Sequence, residues 1–262
     1  MSLKQFFLEA QVLSVQMQPS FRLDLSEEDF KHAKVARLVK GERIAVVDAA
    51  NDYFECVIND ISIDEITVSI TTKEDSKEDV PSIVIVQGLA KGDKLDEVLR
   101  HATELGISGF VPLVCSRSVV KLDKKKTQNR MTRWASIAKS AAMQSGRRTI
   151  PSVHEPMRIR ELSSLISKDD FLFICWEEAE ITQSFSKAML QIKSQLLNHK
   201  TLYIVIGPEG GLEKKEVDEL LGTHAQSYLV SLGNTILRTE TAGVVAPALA
   251  LYELGKLGGK KL

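Results

Sequence analysis

The sequence predicts a chain of two parts: a small β-rich N-terminal region and a larger α/β domain. Up to about Thr72, short β-branched and aromatic runs are separated by turn residues, which is typical of strands. From Ser82 onward, continuous apolar runs alternate with helical stripes. Between them, the segment Lys73 to Asp79 has six charged residues of seven and no apolar side chain. We therefore expect domains at residues 1–72 and 81–262, joined by a linker at residues 73–80.

The N-terminal region carries four strand-like runs and one helix-like segment. The runs are FFLEAQVL, RIAVVDA, YFECVI and EITVSI. The segment from Ser26 to Val39 places Phe30, Ala33 and Arg37 at helical spacing. A barrel-like module of about 70 residues would account for this part of the chain.

The second region begins with SIVIVQGL, a continuous apolar run typical of a strand that is covered on both faces. A helix is predicted from Lys91 to Leu105, where Gly106 ends its apolar stripe. The remaining predicted strands are GFVPLVC, FLFICW, TLYIVIG and SYLVSLG. The remaining predicted helices lie at about 128–145, at about 213–221, from about 239, and in a segment after FLFICW that bears Phe185, Ala188, Met189, Ile192 and Leu196. This alternation predicts a largely parallel sheet with helices on both faces. Gly243 and Pro247 interrupt the last helix, which indicates either a requirement of a site or a kink against the sheet, and we favour the kink.

The composition excludes several classes of protein. The 262 residues are 44% hydrophobic, with 34 Lys plus Arg against 35 Asp plus Glu, as in an ordinary folded protein. No apolar run approaches the ~20 residues that span a bilayer, and the N-terminus does not resemble a secretory signal. Three distant cysteines and histidines without ligand spacing argue against a disulfide framework and against a metal site. We expect a cytoplasmic protein with no membrane partner and no metal ion.

The net charge of −1 hides a basic cluster. Between Arg117 and Arg148 there are ten basic residues and one acidic residue, Asp123. Such a cluster on an otherwise acidic chain is the usual electrostatic footprint of nucleic-acid binding. A solvated loop and helix face would have the same composition, so charge alone leaves both interpretations open.

A glycine loop, Gly207-Pro208-Glu209-Gly210-Gly211, follows the predicted strand TLYIVI and precedes a helix. A tight glycine turn at the carboxyl end of a parallel strand exposes backbone amides and lets a ligand approach closely. The loop has neither the GxGxxG nor the GxxxxGK[ST] pattern, so it is not a dinucleotide fingerprint or a P-loop. The pattern fits a binding site and a structural turn equally well.

A second polar loop lies between Ser231 and Ala242, again between a strand and a helix. It contains Arg238 and Glu240 together with three threonines. The two charged residues either hold a ligand, or they pair with each other while Glu240 complements the helix dipole. Because both loops follow parallel strands, we expect them to converge on one rim of the sheet, where α/β proteins bind ligands.

Five motifs occur in order in the second region: KGDKLDEVLRHATELGI, SRSVVKL, AAMQSGRRTIP, IGPEGGL and LGNTILRTETA. Together they resemble the bacterial 16S ribosomal RNA uracil-N3 methyltransferases, which are SPOUT-superfamily enzymes that use S-adenosylmethionine. In the first region, HAKVARLVKGERI is similar to the family's pattern. The resemblance implies a C-terminal SPOUT α/β domain with a deep trefoil knot and a small N-terminal PUA-like β-barrel that binds RNA.

The resemblance also implies an activity. The chain would be a homodimeric enzyme that methylates uracil N3 in 16S ribosomal RNA of the small subunit (m3U1498), with S-adenosyl-L-methionine as cofactor. The residues implied to hold the cofactor are Gly207, Pro208, Glu209, Gly210, Gly211, Leu232, Gly233, Ile236 and Leu237. The basic residues expected to contact ribosomal RNA are Arg22, Arg37, Arg117, Lys124, Lys125, Lys126, Arg147 and Arg148.

Methyl transfer to uracil N3 needs no metal, but N3 carries a proton and lies on the Watson–Crick edge of the base. The base must therefore be unpaired or flipped out, and its developing negative charge must be stabilised. Arg238 is the first candidate for that stabilisation, with Glu240 either orienting it or accepting the proton. Arg147 or Arg148 could instead serve this purpose or bind phosphates.

Other functions stay open at the level of sequence. A related SPOUT enzyme that modifies another RNA position would share the loops and the basic cluster, although ILRTETA matches the uracil-N3 family specifically. A non-catalytic RNA-binding or ribosome-assembly factor could keep the fold without binding the cofactor. A nucleotide-dependent oxidoreductase is disfavoured because its glycine fingerprint is missing.

Overall fold

The computed structural model describes residues 3–15, 19–74, 81–118, 123–177, 183–196, 200–223 and 225–259. The chain divides into two compact units. The first contains Met1–Asp79 and Ala142–Thr149, and the second contains Val80–Ala141 and Ile150–Leu262. The first unit thus includes a short segment from the middle of the chain in addition to its N-terminal part. The division predicted from composition does not assign this middle segment to the first unit.

The first unit is built on a five-stranded sheet in the order β1-β3-β4-β5-β2. Its strands are β1 Lys4–Phe7, β2 Phe21–Arg22, β3 Arg43–Val47, β4 Tyr53–Ile61 and β5 Ile66–Glu74. Alternate residues of β4 from Phe54 to Ile58 are buried, as a strand with one face on a core requires. The core of this unit includes the fully buried rings of Phe6 and Phe54.

Helix α1 of the first unit spans Glu27–Val35 and is shorter than the predicted segment from Ser26 to Val39. It begins where the Ser26 hydroxyl accepts a hydrogen bond of 3.1 Å from the backbone N–H of Asp29, as an N-cap does. The prediction of helix beyond Val35 is wrong. The backbone of Arg37 has φ +50°, in the left-handed region, which does not continue a right-handed helix.

Strand β5 extends through Glu74, two residues into the predicted linker. Lys73 and Glu74 pair across the sheet with Phe54 and Tyr53, so they are part of the sheet rather than of a linker. The Lys73 ammonium lies 2.9 Å from the Asp52 carboxylate, which favours the extended conformation at this end. Residues 75–80 of the predicted linker lie outside the described residues.

The second unit has a sheet of eight strands in the order β11-β13-β10-β12-β6-β7-β8, with β9 pairing with β7. Every pairing described in it is parallel, which confirms the predicted α/β class with a parallel sheet. Its strands are β6 Ser82–Gly88, β7 Gly109–Val114, β8 Ser152–Val153, β9 Met157–Arg158, β10 Phe171–Cys175, β11 Gln183–Ser184, β12 Thr201–Ile206 and β13 Gln226–Ser231. Its helices are α2 Lys94–Leu105, α3 Lys124–Ser145, α4 Ile159–Leu162, α5 Phe185–Leu196, α6 Lys214–Leu221 and α7 Thr239–Glu253. The last residues of α3, from Ala142, are assigned to the first unit.

Helix α3 begins four residues before the position predicted from its apolar stripe. The helix begins early because Asp123 caps its N-terminus: the Asp123 carboxylate accepts a hydrogen bond of 2.8 Å from the backbone N–H of Lys126. The Asp123 carbonyl also accepts a hydrogen bond of 2.9 Å from the backbone N–H of Thr127. The cap therefore allows the polar first turn to be helical.

Helix α7 continues through Pro247 as one helix, so the proline does not end it. Gly243 is explained by close packing within the second unit. A Cβ added to it would lie 2.4 Å from Oε1 of Gln87 in β6 and 2.7 Å from Cγ1 of Val98 in α2. No helix in the described part of the chain is long and apolar enough to cross a membrane.

Candidate functional site

A cavity of about 530 Å³ opens at the carboxyl ends of three adjacent strands of the second unit. Its floor includes Cys175, Ile206 and Val230, which lie at or near the ends of β10, β12 and β13. The loops that follow β12 and β13 form its walls, so the two glycine-containing loops converge on one site as the sequence predicts. The volume is in the range of pockets that hold a small organic ligand.

The first loop, Gly207–Gly211, is a tight turn that favours glycine at both of its ends. A Cβ on Gly207 would lie 3.1 Å from the backbone nitrogen of Leu212, and Gly211 has a positive φ of 70°. Gly207, Pro208, Glu209 and Gly211 line the cavity. Gly210 differs, because its carbonyl accepts a hydrogen bond of 2.9 Å from Arg117 and the residue is not part of the lining.

The second loop places its predicted cofactor residues around the same cavity. The lining residues from this loop include Leu232, Gly233, Ile236 and Leu237. The Ile236 side chain is 83% exposed, so it lies at the rim and not in the apolar interior. Arg238, at the N-cap of α7, and Glu240, in its first turn, also line the cavity.

Three side-chain and backbone groups join the first loop to the start of α7. The Thr239 hydroxyl donates a hydrogen bond of 2.5 Å to the Gly207 carbonyl, and the Gln87 amide donates one of 2.7 Å to the same hydroxyl. Gln87 and Thr239 are both buried. Gln87 is not among the site residues predicted from the sequence, although a glutamine in an otherwise apolar strand is a signal of a buried polar contact.

Gly88, the last residue of β6, was also missed. A Cβ at this position would lie 2.3 Å from the backbone nitrogen of Pro208 and 2.7 Å from the carbonyl carbon of Gly207. The first loop therefore crosses directly over the end of β6, and only glycine allows this approach. Its signal in the sequence is a glycine at the end of a predicted strand.

An ion-pair cluster lies at the cavity wall. The Lys94 ammonium is 3.2 Å from a carboxylate oxygen of Glu209 and 3.2 Å from one of Glu240. Hydrogen bonds to Glu209 and Glu240 raise the pKa of Lys94. Burial alone would raise the pKa of Glu209, but backbone amides, including that of Lys91, and the Lys94 ammonium together lower it. The pKa of Glu240 is lowered by its own backbone amide, by Lys94 and by Arg238.

Of the two alternatives given for Arg238 and Glu240, their mutual ion pair is not formed, and Glu240 pairs with Lys94 instead. Arg238 is exposed, and it forms no ion pair with any of the residues that the structure describes.

The cavity also contains Cys175, where burial raises the pKa of the thiol to about 12. That thiol is therefore protonated near neutral pH and is a poor nucleophile.

Arg117 of the basic cluster contacts the first loop. In addition to its bond to Gly210, its guanidinium lies 3.7 Å from the Glu213 carboxylate. The neighbouring Ser116 N–H donates a hydrogen bond of 2.7 Å to Glu216 of α6. Arg117 thus stabilises the back of the glycine loop. In contrast, Lys124, Lys125 and Lys126 are exposed in the first turn of α3.

The predicted RNA-binding arginines of the first unit fall into two groups. Arg22 and Arg37 are exposed. Arg147 and Arg148 are half-buried, and Arg148 forms an ion pair with Glu74 and lies 4.5 Å from the centre of the Tyr53 ring. Arg148 therefore stabilises its own unit through these two contacts.

No group of three or more His, Cys, Asp or Glu able to hold a metal occurs among the residues with described positions.

A parallel α/β sheet with a cavity between two loops is the fold and site of a ligand-binding α/β protein, and comparison with known proteins identifies its class. Residues 76–251 match the RNA methyltransferase domain family, and the chain belongs to that family. More narrowly, it belongs to the family of ribosomal RNA small subunit methyltransferase E. The Bacillus subtilis protein of that name is 34% identical over 260 residues, which are 98% of this chain and 99% of the relative. The Aquifex aeolicus protein of that name is 34% identical over 85% of this chain and 90% of its own length.

Two similar solved structures contain a cofactor. A methyltransferase from Legionella pneumophila, in complex with bound SAM, has a TM-score of 0.80 and 25% identity over 96% of this chain and 98% of its own. Ribosomal RNA small subunit methyltransferase E from Neisseria gonorrhoeae, bound to S-adenosyl methionine, has a TM-score of 0.78 and 25% identity over 95% and 97% of the two chains.

Proposed function

We propose that this protein is an S-adenosyl-L-methionine-dependent methyltransferase that acts in the cytoplasm on uracil N3 of 16S ribosomal RNA in the small subunit. The observation that carries the proposal is the cavity formed by the two loops that the sequence motifs GPEGG and LGNTILRTETA supply. Proteins of the same family and of closely similar structure bind this cofactor.

The lining residues fit the cofactor. Gly207 and Gly211 carry no side chain and allow close approach to the backbone, while Leu232 and Leu237 supply an apolar surface suited to an adenine ring. Pro208, Glu209, Gly233 and Ile236 complete the proposed set. Gly210 does not line the cavity, since its carbonyl accepts a hydrogen bond from Arg117. We include it in the set because it shapes the turn. When bound, the cofactor would supply a methyl group on a sulfonium, and the bond to sulfur would break to release a neutral thioether, which is a good leaving group.

The protein has to position the uracil and stabilise the charge that develops on it. Arg238 lines the cavity, and a guanidinium near the uracil carbonyl oxygens would favour the deprotonated base. The lowered pKa of Glu240 makes its carboxylate a weak proton acceptor near neutral pH. We therefore favour an electrostatic role for Glu240 toward the nearby charge of Arg238 over a role as general base, and the N3 proton would pass to water.

The ribosomal RNA would be bound through its phosphates. Lys124, Lys125 and Lys126 are exposed at the first turn of α3, where the helix dipole disfavours cations. The Lys126 ammonium lies 3.4 Å from the Asp123 carboxylate, so the unbalanced charge is that of Lys124 and Lys125, which is explained if this turn contacts phosphate. Exposed Arg22 and Arg37 of the first unit would also bind RNA phosphates. The arginines that already make contacts within the protein would bind RNA in addition to those contacts, and they are Arg117, Arg147 and Arg148.

Two finer features of the fold belong to the proposal. The five-stranded first unit would be the PUA-like barrel, with residues 1–72 as its main part, and residues 81–262 would form the SPOUT domain. In that domain, the return of α7 from β13 to pack against α2, β6 and β12 is consistent with a trefoil knot. We also propose a homodimer that completes the site, which is consistent with the exposed Ile236 at the rim.

The test uses purified protein, labelled S-adenosylmethionine and small ribosomal subunits that lack the modification. Mass spectrometry of the digested RNA would identify the methylated nucleoside. The proposal expects 3-methyluridine in 16S RNA. Label in another nucleoside would contradict the uracil-N3 assignment and indicate a related RNA methyltransferase, and a chain that does not bind the cofactor would be a binding factor instead.

A further inference from the structure

Lys94 connects the two walls of the cavity. Its ammonium lies within 3.2 Å of Glu209, in the loop after β12, and within 3.2 Å of Glu240, in the first turn of α7. Lys94 is itself the first residue of α2, so the contact involves three separate segments of the second unit. Its side chain is one-third exposed, which is consistent with a position on the wall of the cavity.

This cluster differs from an ordinary surface ion pair. An isolated exposed pair contributes little because water screens it. Here one cation neutralises two carboxylates that face the same nitrogen, and Glu209 is also fixed by a hydrogen bond of 3.1 Å from the Lys91 N–H. Removing the ammonium would leave two negative charges next to each other, and their repulsion would move the two walls apart.

We propose that Lys94 is a positioning residue that joins the first loop to the start of α7 and thereby sets the cofactor affinity of the site. It acts through Glu209 and Glu240, and not by contacting the RNA. The inference rests on the proposed function, because it requires that the cavity bind S-adenosylmethionine.

The first experiment measures S-adenosylmethionine binding by calorimetry for the unmodified protein, Lys94→Met, Lys94→Arg and the control Lys215→Met. Lys215 is an exposed lysine of α6 in the same unit and does not line the cavity. We expect Lys94→Met to weaken binding about tenfold, as for the loss of a charge-assisted hydrogen-bond partner. Lys94→Arg should restore most of the affinity, and Lys215→Met should leave it unchanged.

A double-mutant cycle distinguishes positioning from direct contact with the cofactor. In a Glu240→Gln background, Lys94→Met should cost clearly less affinity than in the unmodified protein, because the repulsion is already removed. In a Glu177→Gln background the full cost should remain, since Glu177 lines the cavity but forms no ion pair with Lys94 among the described contacts. Equal costs in all backgrounds would overturn the inference.

Two further readouts separate this role from a general loss of stability. We expect the melting temperature of Lys94→Met to stay within about 2 °C of the unmodified protein, as for a substitution at a partly exposed site. The KM for small subunits should be unchanged while the KM for the cofactor rises. Unchanged cofactor affinity in Lys94→Met would refute the role of Lys94 alone, whereas no cofactor binding by the unmodified protein would refute the proposed function as well.

Discussion

The Thr239 hydroxyl donates a 2.5 Å hydrogen bond to the carbonyl of Gly207. This bond connects the first residue of α7 with the first residue of the glycine loop, 32 positions earlier in the chain. The same hydroxyl accepts a bond from Gln87 of β6, so a strand, a loop and a helix meet at one buried oxygen. The relative position of the two cavity walls therefore depends on this hydroxyl.

Thr239→Val keeps the shape of the side chain and removes the hydroxyl. We expect the free energy of unfolding to fall by about 1–3 kcal/mol, because the buried Gln87 amide and the Gly207 carbonyl lose their shared partner. Cofactor affinity should fall about tenfold. Thermal unfolding and calorimetry measure both effects. Thr241→Val, at an exposed position in the same helix, is the control, and equal behaviour of the two variants would show that the hydroxyl does not position the loop.

Gly88→Ala places a Cβ against the backbone of the first loop. The added atom would lie 2.3 Å from the Pro208 nitrogen, so the loop must move. We expect a loss of about 1–3 kcal/mol in stability and at least a tenfold loss of cofactor affinity. Gly222→Ala is the matched control, because a Cβ there has contacts of 3.4 Å or more and the backbone φ is −78°. Normal cofactor binding by Gly88→Ala would contradict the tight crossing of β6 by the loop.

Arg238→Ala tests the proposed stabilisation of the uracil anion. Removing a preorganised donor to a developing negative charge typically lowers kcat by about 10²–10³. We expect that loss in single-turnover methylation, with cofactor affinity nearly unchanged. Arg160→Ala, at an exposed arginine of α4, should have the normal rate. Full activity of Arg238→Ala with normal cofactor affinity would refute the assignment.

The triple variant Lys124→Gln, Lys125→Gln and Lys126→Gln tests the RNA contact. Each phosphate contact adds about 0.7–0.9 to the slope of log affinity against log salt concentration, so the slope should fall by about 2–3. Cofactor affinity should not change. A triple glutamine variant of the exposed residues Lys168, Lys187 and Lys215 has the same net charge and is the control. Equal salt dependence of the two variants would exclude a contact at the start of α3.

The sequence predicted the α/β class correctly because strands covered on both faces leave long apolar runs, as in β6 and β12. It also identified both loops of the cavity, since glycine and charged residues after a strand mark the ligand-binding rim of a parallel sheet. Helix ends were less accurate. The caps that define them, such as Asp123 for α3, involve polar residues outside the apolar stripe.

By itself, the sequence determined the fold class, the parallel sheet, the two loops and the family, because each of these depends on local patterns and on motifs that are contiguous in the chain. Only the tertiary structure decided which distant groups meet. It showed that Lys94 pairs with Glu209 and Glu240, that Thr239 bonds to Gly207, and that Gly88 makes room for Pro208. These contacts join residues far apart in the chain, and the order of the strands in the sheet brings them together.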